Sequence, residues 1–374
     1  MAAYLDHAAS SPLRPEALEA MLPWFAEQHA NPTASHRRGR RARQALDDAR
    51  AIIAEATGFA RGDVVFTGGG TESDNMAIGR GRPPGSVIVG ATEHPAVLEP
   101  ALRQQAKVVP VDDAGVVHPA AVGALVDDTT ELVSVMAVNN ETGVRQPIAE
   151  IADVVHRSAP TAIVHSDAVQ ALPWLDLAEA ASGVDALSLT GHKIGGPQGV
   201  GAFLLRDGAS AEPLLVGGGQ ERERRAGTQN VAGIVGFAAA LRASIDDRIE
   251  RLARIDRLAT RLLEGLTAAI DGLAPTVDPS TRVPGIVHVR IPGITSEPLL
   301  FLLDENHLAC SAASSCASGA QGASHVLAAM GIDASSSAPL RLSLGWSTTD
   351  AAVDEALTVI PAAVNRLRGG AANG

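Results

Sequence analysis

Basic charge, aromatic side chains, cysteine and long apolar runs are all scarce in these 374 residues, and each shortage removes a class of function. Thirty Lys and Arg stand against 42 Asp and Glu, a formal charge of −12, so no basic face is on offer to nucleic acid and no direct nucleic-acid binding is expected. The one basic run, Arg37 to Arg43, has helical spacing and continues into Asp47-Asp48, which is the pattern of a solvated helix face. No apolar stretch reaches the roughly 18 residues that read as a membrane span. The N-terminus also lacks the basic-then-apolar profile of a signal peptide, so a soluble, cytoplasmic chain is expected. Two cysteines, Cys310 and Cys316, are too few for a disulfide framework and lack metal-ligand spacing. Neither a disulfide scaffold nor a metal centre is expected. Aromatic residues make up 3% while Ala and Gly abound, which favours close backbone packing over a bulky core.

What the chain does have is rhythm. Apolar segments at Val64-Phe66, Ser86-Val89, Lys107-Val111, Leu132-Ala137, Ala162-Ser166, Ala186-Leu189 and Val200-Leu205 alternate with turns and amphipathic helices, among them Pro15-Gln28 and Arg37-Thr57. Such alternation predicts an α/β fold with a mainly parallel, doubly wound sheet of seven strands and helices on both faces. From Gly233 to about Ile270 the pattern is one long helix broken once. Extended segments (Gly285-Ile291, Leu340-Leu344) and helices (Ser296-Asn306, Ser324-Met330, Asp350-Arg368) follow, and the glycine-rich end from Gly369 is expected to fray. The expected division is a large domain over 12–250 and a smaller α+β domain formed by 1–11 with 251–374.

In open α/β sheets ligands sit beyond the carboxyl ends of the strands, so the residues that follow each strand enumerate the site. Lys193, in Gly191-His192-Lys193-Ile194-Gly195-Gly196, is either a hairpin-tip lysine in water or a desolvated amine poised to form a Schiff base. Gly68-Gly69-Gly70-Thr71 opens onto a helix at Met76 and is either a plain cap or a phosphate cradle. It lacks the Gly-Lys-Ser/Thr of a P-loop, and Ser73 stands where the dinucleotide fingerprint needs its third glycine. His94 follows the second strand, as a structural histidine or as one that stacks on a flat cofactor and moves protons. Asn139-Asn140 is a turn former or a substrate hydrogen-bonder. Asp167, 26 residues before Lys193, is a helix cap or the partner of a protonated pyridine nitrogen. Phosphate cradle, ring partner and Schiff-base lysine together describe a pyridoxal 5'-phosphate (PLP) site.

With those residues in hand the chain resembles the cysteine desulfurases of the class V aminotransferase family, which have the fold type I PLP architecture. The likeness runs through Tyr4-Leu5-Asp6-His7-Ala8-Ala9, Gly70-Thr71-Glu72-Ser73, Glu93-His94, Asn139-Asn140-Glu141, Asp167-Ala168-Val169-Gln170, Gly191-His192-Lys193, Gly217-Gly218-Gly219-Gln220-Glu221-Arg222, Arg225-Ala226-Gly227-Thr228 and Arg341-Leu342-Ser343-Leu344-Gly345. The resemblance implies roles. Lys193 would bind PLP as a Schiff base and move the Cα proton, while Asp167 would face the ring nitrogen and Gln170 the ring hydroxyl. His94 would stack on the ring and assist the proton transfer. Gly70, Thr71, Thr190 and His192 would hold the phosphate, joined by Thr228 from the second subunit of a homodimer. Asn140 and Arg341 would clamp the carboxylate of L-cysteine.

Cys316, in the small-residue run Ser311-Ala312-Ala313-Ser314-Ser315-Cys316, matches the family's nucleophile. It would take the substrate sulfur as a persulfide, leave alanine, and pass the sulfur to an acceptor protein. Cys310 is expected to be buried and structural. The sequence departs from the family around Cys316, at Gly322-Ala323 and in the short link Gly79-Gly85, and no long extension follows Arg368. These departures leave the acceptor open among iron–sulfur assembly, tRNA or DNA thiolation and a small metabolite. The alternatives are an aminotransferase or a cysteine/selenocysteine lyase on the same scaffold, and a non-enzymatic sulfur carrier.

Overall fold

The short apolar runs between helices become strands because both of their faces are covered. Val87, Ile88 and Val89 are all fully buried, as are Leu187, Ser188 and Leu189, which is the pattern of parallel strands packed beneath helices on both sides. In the computed structural model, which describes residues 3–79, 81–206, 209, 211–312, 324–333 and 336–371, the strands are β1 (Ala3–Tyr4), β2 (Val64–Thr67), β3 (Val87–Gly90), β4 (Lys107–Val109), β5 (Leu132–Ser134), β6 (Ile163–Asp167), β7 (Ala186–Thr190), β8 (Gly201–Leu205), β9 (Ala274–Pro275), β10 (Ile286–Pro292), β11 (Leu308–Ala309) and β12 (Ser337–Ser343). The helices are α1 (Pro15–Phe25), α2 (Arg37–Thr57), α3 (Gly70–Ile78), α4 (Pro95–Arg103), α5 (Pro119–Gly123), α6 (Ile148–Ser158), α7 (Leu177–Ala180), α8 (Val231–Asp246), α9 (Arg248–Ala269), α10 (Ser296–Glu305), α11 (His325–Ala329) and α12 (Asp350–Ala371).

The main sheet has seven strands in the order β2-β8-β7-β6-β5-β3-β4. β4, β3, β5, β6 and β7 are mutually parallel, and β8 alone runs antiparallel to its neighbours β7 and β2. β2 therefore points the same way as β7, and the carboxyl ends of β2, β3, β5, β6 and β7 share one edge. The sides alternate along each strand: Val64 and Phe66 join the main core, while Val65 packs with Met76 and Ala77 of α3 and with Ala186 and Phe203. Two smaller sheets stand apart, the antiparallel β12-β10-β9 and the parallel pair β1-β11. Leu5 stitches the first residues to the last part of the chain, donating to Ala309 O at 2.8 Å and accepting from Ser343 N at 2.8 Å.

The long helix expected over 233–270 is two helices that meet at Asp247, whose carboxylate takes Arg251 Nε on one oxygen and Arg14 Nη2 on the other, each at 2.8 Å. α3 begins at Gly70, six residues before the expected start at Met76, because Gly69 at φ +150° turns the chain directly from β2 into the helix. β5 ends at Ser134, not Ala137. The chain continues alongside β6 (Val135 N to His165 O 3.1 Å, Ala137 N to Asp167 O 2.9 Å) after its pairing with β3 has stopped. α12 runs to Ala371, into the glycine-rich end, and the rest of that end lies outside the described residues. Among the described residues no helix is long and apolar enough to cross a membrane.

Candidate active site

A cavity of about 380 Å³ opens at the shared carboxyl edge of the main sheet. Its wall brings together Gly70 and Thr71 from the start of α3, His94 after β3, Asn140 after β5, Asp167 and Gln170 at and after the end of β6, Thr190, His192 and Lys193 from β7 and its turn, and Arg341 from β12. Residues up to 271 positions apart in sequence thus converge where the fold predicts a ligand.

Lys193 closes a single 3₁₀ turn, Gly191–Lys193, that follows β7. Its Nζ donates to the carbonyls of Ala8 (2.5 Å) and Ala9 (2.9 Å), so the first loop of the chain holds the amine in place. Gln170 Nε2 donates to the same Ala8 carbonyl at 2.8 Å. Asp167 is the last residue of β6, and its Oδ1 accepts from Val169 N at 2.9 Å. Burial pushes its carboxyl up to about 6, against the pull of the Val169 N–H and the Lys193 charge. A cation placed against it would draw that value back down.

His94 caps α4, with Nδ1 accepting from Ala96 N at 3.1 Å. That bond fixes the tautomer, because the neutral ring then carries its hydrogen on Nε2. Burial, then the charges of Lys193 and His325, lower its pKa to about 4, and His192 is lowered to about 4 by burial and Lys193. Both rings are therefore neutral at pH 7.

The two consecutive asparagines divide the work that the sequence left open. Asn139 is a buried turn former whose Oδ1 accepts from Glu141 N and Thr142 N, both at 2.9 Å, while Asn140 lines the cavity. Asn140 also accepts Arg341 Nη1 on its backbone oxygen at 2.9 Å. Arg341 Nη2 pairs with Asp6 Oδ1 at 2.8 Å, and its Nε, though buried, has no partner.

The α3 end of the cavity suits an oxyanion. Gly69 offers no side-chain cap, so the first-turn N–H groups of α3 are left for a ligand. Glu72, the acidic residue of that turn, is already neutralised by Gly68 N (2.7 Å) and Arg225 Nε (2.9 Å). A Cβ on Gly70 would stand 2.8 Å from Val169 Cγ2, so any larger residue here would force Val169 to shift. Thr190 Oγ1 donates to Val200 O at 3.2 Å and must turn to serve an anion. Anion donors, a buried carboxyl, a lysine and an unpartnered guanidinium nitrogen around one cavity are groups that fit PLP with an amino-acid substrate.

Thr228 is exposed and does not line this cavity, and Cys316 lies outside the described residues. Cys310 packs partly buried against the core, and burial with the nearby Asp6 carboxylate pushes its thiol up to about 12, so it stays protonated and inert. Sequence reasoning missed Asp6 and Asp74. Asp6 stands inside a quoted motif but gained a role only when β12 came beside it. Asp74 shares a face of α3 with the buried Ala77 and Ile78, a spacing that flags a buried carboxyl.

The sequence profile described as aminotransferase class-V matches residues 3–356, and the chain belongs to that family, whose members in general use PLP. Its relatives within the family bear a narrower name. The IscS-like cysteine desulfurase of Mycobacterium tuberculosis is 42% identical, covering 98% of this chain and 97% of its own. Cysteine desulfurase IscS of Methanosarcina thermophila is 38% identical, covering 98% of this chain and 93% of its own. A solved NifS-like protein superposes with a TM-score of 0.90 at 32% identity, covering 98% of this chain and all of its own.

Proposed function

We propose that this chain takes sulfur from L-cysteine with PLP as cofactor, captures it as a persulfide on Cys316, and hands it to an acceptor protein. The convergence of Lys193, Asp167 and Arg341 on one cavity carries the reading, and full-length likeness to proteins named cysteine desulfurases supports it. PLP supplies an electron sink when bound, and the protein's part is to position it and to move protons. Lys193 would hold its carbonyl carbon covalently, Asp167 would keep its ring nitrogen protonated, and Gln170 would meet its ring hydroxyl. The first turn of α3 (Gly70, Thr71), with Thr190 and His192, would hold the phosphate. Thr228, exposed on its own chain, would reach the phosphate in the partner of a homodimer. Arg341 would pair with the substrate carboxylate through its open N–H positions beside Asn140. Lys193 Nζ would carry the proton to and from the substrate Cα, with the neutral His94 as the second proton carrier.

Cys316 would act as a thiolate. It bonds to the substrate sulfur, the electron pair of the Cβ–S bond stays with Cβ, and Cβ takes a proton to become the methyl group of alanine. Support for its reach comes from the residues on either side of segment 313–323. Ser311 N and O exchange backbone hydrogen bonds with Arg341 (3.3 and 2.7 Å). At the far end, Ser324 Oγ donates to Glu141 Oε2 at 2.5 Å, and His325 Nε2 meets Glu93 O at 2.9 Å. Arg341 lines the cavity, and Glu141 and Glu93 adjoin Asn140 and His94, which also line it. The division into 12–250 and 1–11 with 251–374 belongs to the same reading, supported by the pairing of β1 with β11. So does a cytoplasmic site of action, supported by the low cysteine content.

The test gives L-cysteine and a thiol reductant to the wild type and to Cys316→Ser, and measures alanine and sulfide. Turnover is expected from the wild type alone. Equal turnover by the variant would overturn the persulfide step and leave a lyase.

A further inference from the structure

A second carboxyl, Asp74, stands on the cavity wall near Asp167. It lies one turn into α3 and is 2% exposed, and its Oδ1 has no hydrogen-bond partner. The nearest ring nitrogen, Nε2 of His165, is 3.9 Å away and bonds Ser188 Oγ at 2.9 Å instead. His165 Nδ1 bonds Ser134 Oγ at 2.8 Å, and complete burial lowers the ring's pKa to about 3, so it offers no positive charge. Register completes the cluster. Asp167 of β6 lies opposite Ser188 of β7, and the Ser188 hydroxyl also acts on Asp74, lowering its pKa against the larger push of burial.

The groups that act on Asp74 are Asp167 and His165 from β6, Ser188 from β7, and Glu93 from the turn after β3; none is a cation. Two of the three carboxyls have an oxygen without a partner, Asp74 Oδ1 and Glu93 Oε2. Burial is the largest cause raising both, and each is raised further by Asp167. Asp167 alone is favoured by an opposite charge, that of Lys193, together with the Val169 N–H. Neighbouring carboxyls in a dry wall cannot all ionise, and the one with a cation keeps the charge.

We propose that Asp74 is a positioning residue held as a neutral carboxylic acid, so that Asp167 alone presents a full negative charge to the cofactor's ring nitrogen. The proposal rests on the reading of the cavity as a PLP site. With Asp74 and Glu93 both neutral the cluster carries one net charge to match one pyridinium, and the Asp74 O–H is a donor on the cavity wall.

Asparagine copies the shape and the donor of a neutral aspartic acid, whereas leucine copies only its bulk. Holoenzyme of the wild type, Asp74→Asn and Asp74→Leu would be compared by infrared difference spectroscopy and by PLP dissociation constant at pH 7. The carbonyl stretch of a protonated carboxyl, well separated from ionised carboxylate bands, is expected in wild type minus Asp74→Asn. Asp74→Asn should hold PLP within about twofold of the wild type, and Asp74→Leu should lose about tenfold, the cost of one buried polar contact. A missing carboxyl band, a tenfold weakening in Asp74→Asn, or failure of that variant to fold would each overturn the proposal. The two readings fail separately. If the wild type itself bound no PLP, the cavity reading would fall, while the carboxyl band in the apoprotein would still decide the state of Asp74.

Discussion

Asp6→Asn tests how the substrate clamp is built. Arg341 is 3% exposed at its side chain and meets Asp6, 19% exposed, at 2.8 Å. Removing one partner of a buried ion pair costs about 3–5 kcal/mol, because the other charge is left uncompensated. Asparagine keeps an oxygen near the same place, the Asn140 carbonyl still holds Nη1, and Asp6 is partly wet, so a loss of roughly 2 kcal/mol is expected. At about 2 °C per kcal/mol for a chain of this size, the apoprotein should melt roughly 4 °C lower. The orphaned guanidinium should then bind any carboxylate more tightly. L-alanine, the product, is expected to raise the melting temperature of Asp6→Asn more than that of the wild type, through preferential binding to the folded state. The KM for L-cysteine should fall by about threefold, a gain of well under 1 kcal/mol, while kcat does not rise. Differential scanning fluorimetry across an alanine series, with initial rates alongside, supplies both readouts. An unchanged melting temperature together with an unchanged KM would refute the reasoning, and so would a variant that loses carboxylate binding as Arg341→Ala should.

Two further outcomes are expected. Glu221 is 1% exposed at its side chain and gathers Arg50, Gln229 and the Phe66 N–H, so Glu221→Ala should cost about 3 kcal/mol in chemical denaturation. It should also weaken PLP binding, because the loop that carries Thr228 loses its anchor; a loss of stability below about 0.5 kcal/mol, within the range of ordinary surface substitutions, would show the ion pair to be inert. His165 has a folded pKa near 3, below its unfolded value, so its contribution is fully present above about pH 6.5 and is lost as pH falls towards 3. Relative to His165→Asn, the wild type should lose up to about 1.4 kcal/mol per pH unit through that window, and parallel stability curves would refute the assignment.

The strands and helices were legible because each follows from a local pattern. All seven strands of the main sheet were anticipated to within a few residues, and Arg37–Thr57 was found to the residue, since apolar periodicity and a closing glycine act over a single turn. The early start of α3 was not legible, because it depends on the unusual conformation of Gly69, which composition alone does not disclose. That Asp167, Lys193 and His94 would share one cavity was legible because they follow strands whose ends lie on one edge of a parallel sheet.

Sequence by itself thus determined the sheet, the edge on which the cavity opens, the family, and the reacting groups expected of it. Tertiary structure alone decided which neighbours set the state of those groups. It put Asp6 against Arg341 across 335 residues, gave Asn139 to the turn and Asn140 to the cavity, and set Asp74 beside Asp167 with no cation acting on Asp74. The physical reason is range. Periodicity and capping are local and can be read along the chain, whereas desolvation and charge pairing depend on atoms that only folding brings within a few ångströms.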